Sequence, residues 1–134
     1  MQTYMARLHL KFEKNRDFYD ACEEIRRSHD GYLSTKEIAA LGEASPCACF
    51  YMSTRHLKFL IWQINTDRHT PSKFSHIREK HNEIYARYKQ LLSEHYNMPL
   101  SWYAEEISYQ PAPRFYLDHD YATILYYKLM NNKV

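Results

Sequence analysis

The chain has 134 residues, of which 45% are hydrophobic and 25% charged, a balance that is typical of globular proteins and excludes a disordered chain. No apolar run approaches the roughly 18 residues that a membrane-spanning helix needs, and two glycines are too few for a glycine-rich phosphate loop. The formal net charge of +2 is too small to imply a polyanionic partner by itself. Three cysteines, an odd number, do not form a disulfide framework, so we expect reduced thiols and a cytoplasmic protein.

The first predicted element is an amphipathic helix, in which Phe18, Tyr19, Cys22 and Ile25 recur at helical spacing. Its upstream end has two interpretations. Residues 3–14 either extend the helix, because apolar residues continue with a period near four, or form a short strand, because apolar residues there also alternate.

A short second helix is predicted over residues 36–41, with Ser34 or Thr35 as its N-cap and Gly42 as the residue that stops it. A loop that contains proline follows, and it cannot be helical because proline and the residue before it favour extended backbone. A third helix is then predicted over about 53–65.

The second half of the chain has the same order of elements. Its long helix is predicted to begin with Ser72 as the N-cap, its short helix covers 102–108, and its third helix covers about 118–131. Both third helices begin with a residue type that suits an N-cap, a Ser in the first half and an Asp in the second. Their apolar positions correspond in pairs, Phe59 with Ile124 among them.

This correspondence is part of an internal repeat. The segment 45–53 returns 65 residues later as 110–118, and both copies have the pattern Pro-x-x-x-Phe-Tyr. We therefore predict an all-α fold made by tandem duplication of a three-helix unit (long helix, short helix, extended Pro-Phe-Tyr loop, helix) and packed as one compact domain. The predicted boundaries are 1–64 for the first repeat, 65–71 for a linker and 72–134 for the second repeat.

The repeated loop has a structural and a functional interpretation. Phe50 and Phe115 are expected to fill the junction between the second and third helices, as aromatic anchors in small cores often do. Arg114 differs, because the matching residue of the first copy is Cys49. A residue that the copies do not share is not needed for shared packing, so Arg114 is the candidate functional residue of the loop.

The middle of the chain is basic, whereas the part after residue 98 carries slightly more acidic than basic residues. A basic patch is the electrostatic mark of nucleic-acid binding, although a solvated helix face has the same composition. The candidate nucleic-acid contacts are Arg55, Lys58, Lys73, Arg78, Lys80 and Arg87.

Three helices with a short second one resemble a helix-turn-helix, but about ten residues separate the second and third helices, where the strict motif has three or four. We expect a nucleic-acid-binding accessory or regulatory protein, with DNA as the candidate partner. A helical protein-interaction module is the alternative, and the oligomeric state is open.

Catalysis and metal binding are not expected. No motif holds a base beside a cysteine or serine nucleophile, and His76 and His81, five residues apart, diverge on a helix. Cys47 and Cys49 lack the second cysteine pair of a zinc site. We therefore predict no enzyme activity, no metal and no cofactor.

The run Gln-Pro-Ala-Pro-Arg-Phe-Tyr-Leu-Asp at 110–118, followed by a helix, resembles a signature of small bacterial proteins of unknown activity from gut commensals and their mobile elements. The signature there is similar to Ser-Pro-Ala-Pro-Arg-Phe-Tyr-Val-Ser before an amphipathic helix. The resemblance covers about the last 35 residues, implies a regulatory or accessory protein, and implies no catalytic residue.

Overall fold

The structure is a computed structural model that describes the backbone of residues 4–131 and the side chains from His9 onward. Within this range the regular elements are six helices and no strands, which confirms the prediction of an all-α fold. In chain order they are α1 (Tyr4–Ser28), α2 (Thr35–Glu43), α3 (Thr54–Asn65), α4 (Ser75–Glu94), α5 (Leu100–Ser108) and α6 (His119–Met130). No helix of the described range is long and apolar enough to cross a membrane.

Local hydrogen bonds set the start of α2, whereas packing against α1 affects its end. Because α1 begins at Tyr4, the strand interpretation of residues 3–14 is wrong for the part that the structure describes. At the start of α2, the Glu37 N–H donates to Ser34 Oγ (3.1 Å), and the Ser34 N–H donates to Glu37 Oε1 (3.1 Å). This capping box fixes where the helix begins.

Gly42 does not stop α2, as the sequence predicted, but lies within it. A Cβ atom at this position would collide with the Sγ atom of Cys22. Gly42 therefore allows α1 and α2 to pack closely, and the helix ends two residues later at its C-cap, Ala44.

The predicted start of α4 is also wrong. The helix begins after Phe74 rather than after Ser72, because Ser72 Oγ accepts a hydrogen bond from the Phe74 N–H (3.1 Å) in the preceding turn instead of capping the helix. The third helices begin where their N-cap types predicted. Ser53 Oγ accepts from the His56 N–H, and Asp118 accepts from the N–H three residues on.

The six helices form two bundles, and each bundle contains helices from both halves of the sequence. One bundle consists of α1, α2 and α6, and the other of α3, α4 and α5. The third helix of each half thus packs on the first two helices of the other half. The predicted boundary at 65–71 separates sequence halves but not packed units. Since α3 packs on α5 and α4 rather than on α2, it does not have the neighbour of a helix-turn-helix recognition helix.

The two proline loops cross where the bundles meet. The Cys47 N–H donates to the Ala112 carbonyl (2.9 Å), and the Ala112 N–H donates to the Cys47 carbonyl (3.0 Å). Each loop then turns through a left-handed tyrosine, Tyr51 with φ of 56° and Tyr116 with φ of 58°, a conformation that non-glycine residues seldom adopt. These positions are 65 residues apart, and superposition of residues 18–64 on 84–130 stays a prediction.

Phe50 and Phe115, which precede these tyrosines, are both 2% exposed, which confirms their predicted burial. The predicted location at a junction between the second and third helices is wrong, because α2 and α3, like α5 and α6, belong to different bundles. Phe50 belongs to the α3–α4–α5 core and Phe115 to the α1–α2–α6 core. Each phenylalanine therefore anchors its loop in the bundle that contains its own third helix and the first two helices of the other half.

Candidate nucleic-acid interface

The outward face of α3 carries two large aromatic rings. The helix buries Leu57, Leu60 and Ile61, while Phe59 is 53% exposed and Trp62 is 39% exposed. The two rings are nearly parallel, with centroids 5.9 Å apart. The Arg68 guanidinium lies over the Trp62 ring, 4.9 Å from its centroid, so the more exposed Phe59 is the main surface on which another planar group can stack.

These rings lie in an open cavity of about 960 Å³ between α3 and the first part of α1. We call it the basic groove. Its described lining has no acidic residue, and the side chains that give it its character are Lys11, Lys14, Arg55, Lys58, Phe59 and Trp62. Tyr51 also lines the groove, and its hydroxyl donates to the Asp17 carboxylate (2.5 Å).

Lys14 of α1 has a counterpart on α4, Lys80, and both side chains are half-buried. Burial lowers the pKa of Lys14, and burial lowers the pKa of Lys80 to about 7, with the positive charge of Lys14 acting in the same direction. Cys47 and Cys49 oppose both shifts in part, and the Glu43 carboxylate also opposes the shift of Lys14. Within residues 9–131, neither ammonium group has a hydrogen-bond or ion-pair partner. Two partly desolvated amines without an ion-pair partner among the described residues favour binding of an anion.

A second cavity, of about 300 Å³, adjoins the groove on the other side of α3 and shares His56 and Phe59 with it. We call it the histidine pocket. Its remaining lining residues are Leu60, Gln63, Arg68, His69, Thr70 and His81.

Two imidazole rings meet in the histidine pocket. The centroids of His69 and His81 are 5.3 Å apart. His81 Nδ1 is buried and has no hydrogen-bond partner among the described residues. Burial lowers the pKa of His81 to about 4, and positive charge on His69, Lys80 and His56 adds to the effect. In the described part of the chain, no group of three or more His, Cys, Asp or Glu residues is placed to hold a metal ion.

The six predicted nucleic-acid contacts separate into two groups. Arg55 and Lys58 line the basic groove, and Lys80 is electrostatically coupled to Lys14, which also lines it. The Lys73 ammonium lies instead 5.2 Å from the ring centroid of its neighbour, Phe74. The guanidinium of Arg78 donates to the carbonyl of Ser72 (2.8 Å), and Arg87 braces the second proline loop.

Arg87 donates to the Gln110 side chain (3.0 Å) and to the Pro111 carbonyl (2.8 Å). Its guanidinium also lies over the ring of Phe50, 5.2 Å from the centroid, and its Nε donates to Glu83 (3.0 Å). With these contacts, Arg87 has a structural environment rather than that of a ligand-binding cation.

Arg114, the predicted functional residue of the loop, forms an ion pair with a buried carboxylate. Its Nε donates to Glu43 Oε2 (2.9 Å) and its Nη2 to Glu43 Oε1 (2.5 Å). The same Oε2 accepts from the Tyr116 N–H (3.2 Å), and Glu43 is 2% exposed. The Phe115 N–H donates to the Glu43 carbonyl (2.9 Å). These contacts attach the second proline loop to α2.

Sequence reasoning did not identify Lys11, Lys14 or the aromatic pair as site residues. The spacing of three between Lys11 and Lys14 would place them on one side of a helix. The sequence did not decide, however, whether residues 3–14 form a helix or a strand. Phe59 and Trp62 could not be told from core residues by periodicity, because exposure depends on which helices pack on α3.

Comparisons with protein-family models, with curated proteins and with solved structures find no match to this chain. The geometry of the described residues is therefore the basis for a functional proposal.

Proposed function

We propose that this chain binds single-stranded nucleic acid in the basic groove. The observation that carries the proposal is the exposed Phe59–Trp62 pair, stacked at 5.9 Å inside a groove with four cationic side chains and no acidic one in its described lining. Proteins that bind single strands combine aromatic platforms for the bases with a positive groove for the phosphates. Lys11, Arg55 and Lys58 would meet the phosphates.

A single strand fits this surface better than a duplex does. The bases of a duplex stack on each other and present only their edges in the grooves, so flat aromatic side chains at a recessed site have no base face to contact. A single strand can turn its bases outward onto Phe59 and Trp62. The expected partner thus changes from DNA in general to an unpaired strand of DNA or RNA.

Electrostatics favour the same ligand. Lys14 lines the groove, and Lys80 lies in its electrostatic range. A phosphate near this pair would supply additional counter-charge and raise the pKa of both amines. Strand binding near pH 7 is then accompanied by proton uptake, chiefly at Lys80, whose pKa is about 7 in the free protein.

The test is fluorescence anisotropy with a labelled oligothymidylate and with a duplex of equal length. The double variant Arg55→Glu/Lys58→Glu should weaken strand binding at least tenfold, because two phosphate contacts become repulsive. The slope of log affinity against log salt should also become shallower, by about 0.7 for each lost contact.

The matched control is Lys73→Glu/Arg78→Glu, which makes the same change of charge outside the groove and should keep most of the affinity. Equal losses in the two double variants would mean that net charge, not the groove, attracts the strand. If the wild-type chain retains no strand at ~50 mM salt and micromolar protein, where non-specific binders are visible, the proposal fails and the protein-interaction alternative takes its place.

A further inference from the structure

The histidine pocket has the composition of an anion site. Its polar lining can donate hydrogen bonds through the side chains of Gln63, Arg68, His69 and Thr70. Among its described lining residues none is acidic. A cavity of about 300 Å³ is also at the lower end of the range found for small-molecule sites.

The state of His81 adds a second observation. Its buried nitrogen, Nδ1, has no partner within residues 9–131, and an unpaired buried acceptor is less costly than an unpaired buried N–H. This favours the neutral tautomer with its proton on Nε2. Nε2 is then the nitrogen of this cavity-lining ring that a ligand can reach, and it is a donor.

The pocket is also electropositive. Arg68, a permanent cation, lines the pocket, and its guanidinium lies 4.9 Å from the centroid of the Trp62 ring. Protonated His69, Lys80 or His56 would each disfavour protonation of His81, and among the described residues no carboxylate is seen to oppose them. Such an arrangement repels cations and attracts an anion with several acceptor oxygens.

We propose that the histidine pocket is a phosphate-binding subsite, with His69, His81 and Thr70 as the groups that hold the phosphate oxygens. The pocket shares His56 and Phe59 with the basic groove, so a strand that stacks its terminal base on Phe59 has its terminal phosphate close to the pocket. The source of this phosphate rests on the proposed function: it is the terminal phosphate of the bound strand. Free inorganic phosphate has the same chemistry and is the other source.

The first arm of the test uses inorganic phosphate alone and needs no strand. The histidine ring protons are followed by NMR at constant pH while phosphate replaces chloride at equal ionic strength. The ring-proton resonances of His69 should shift and saturate as phosphate is added, because a bound anion accepts a hydrogen bond from the ring. His29, exposed at the end of α1, is the internal control and should not change.

The matched variants are His69→Gln and His29→Gln. His69 lies in the segment between α3 and α4, so its substitution leaves the helical cores intact, which an unchanged circular dichroism spectrum and melting temperature will verify. Phosphate affinity should fall about tenfold in His69→Gln, the loss expected for one charge-assisted hydrogen bond, and stay constant in His29→Gln. Identical phosphate responses of His69 and His29, or none at either, would overturn the proposal.

The second arm identifies the source. A 5′-phosphorylated oligothymidylate should bind about tenfold more tightly than its hydroxyl-ended form to the wild type, and the two should bind equally to His69→Gln. If phosphate shifts the ring-proton resonances of His69 but neither strand binds, the groove proposal fails and the subsite holds free phosphate. If both strands bind equally and phosphate has no effect on His69, the groove proposal stands and the subsite is refuted.

Discussion

The outward faces of α3 and α6 occupy matching places in the two bundles, and both expose large apolar side chains. Phe59 and Trp62 on α3 are 53% and 39% exposed, and Ile124 and Tyr127, 65 positions later on α6, are 52% and 57% exposed. Neither helix buries these side chains in a core. Exposure at the same two positions follows from the shared packing of a third helix against two others.

The charges beside these side chains differ. Arg55 and Lys58 precede the aromatic pair on α3, whereas the matching positions on α6 are Asp120 and Thr123. Acid beside the α6 face repels phosphate, so the proposed strand-binding face is that of α3. The comparison teaches that similar packing exposes apolar side chains on both faces and that charge distinguishes the two faces as candidate phosphate-binding surfaces.

The largest expected effect concerns the packing that the two faces share. Phe50→Ala and Phe115→Ala should each lower the free energy of unfolding by about 3–5 kcal/mol, because each removes a buried ring from one bundle. Chemical denaturation is the measurement, and Phe74→Ala, at an exposed ring, is the control with an effect within about 0.5 kcal/mol. Losses below about 1 kcal/mol in both loop variants would contradict the anchoring role.

The ion pair of Arg114 makes the two proline loops unequal, because the matching residue of the first loop is Cys49. Arg114→Ala should cost roughly 2–3 kcal/mol of unfolding free energy, since it leaves the buried Glu43 carboxylate without its main partner. Arg27→Ala breaks an exposed pair with Glu24 and should cost less than about 0.5 kcal/mol.

Strand binding should be unaffected by Arg114→Ala when measured under conditions where the variant is folded. A loss of binding as large as that of the groove variants would show that Arg114 belongs to the binding site and would contradict its structural role.

The aromatic positions of the two faces can be compared directly. Trp62→Ala should weaken oligothymidylate binding by about 1–3 kcal/mol, the contribution of one stacked base, while Tyr127→Ala on α6 should change it less than twofold. Anisotropy titrations at one salt concentration provide both values. Equal effects of the two substitutions would mean that the faces are functionally alike despite their charges.

The smallest expected effect is a dependence on pH that Lys80 causes. Its pKa is about 7 in the folded chain and 10.5 when unperturbed, so between these values the unfolded chain binds the proton that the folded chain has lost. The free energy of unfolding should therefore rise with pH above 7, by about 1 kcal/mol between pH 7 and 8 relative to Lys80→Met.

Strand affinity should change in the opposite direction over the same interval, because deprotonated Lys80 no longer attracts phosphate. The wild type and Lys80→Met are compared by denaturation and by anisotropy at each pH. Parallel pH profiles of the two proteins in both measurements would show that Lys80 is an ordinary surface lysine.

Features that depend on neighbouring residues could be predicted from the sequence. The all-α class, the start of α2 at Ser34 or Thr35 and the starts of α3 and α6 after Ser53 and Asp118 follow from periodicity and capping, which act over three or four residues. The wrong prediction for the start of α4 also depends on residues only a few positions apart. Ser72 was an equally good cap for α4, and only the turn that it forms with Phe74 decided the start of that helix.

The sequence by itself determined the six helices, the order of elements in each half and the burial of the paired phenylalanines. Only the tertiary structure decided that the third helices exchange bundles, and this exchange creates the basic groove. It brings Lys14 near Lys80, places Arg114 on Glu43, 71 positions away, and leaves Trp62 outside the core. Contacts across such separations depend on which helix faces become buried together, and periodicity shows that a face is apolar without showing what covers it.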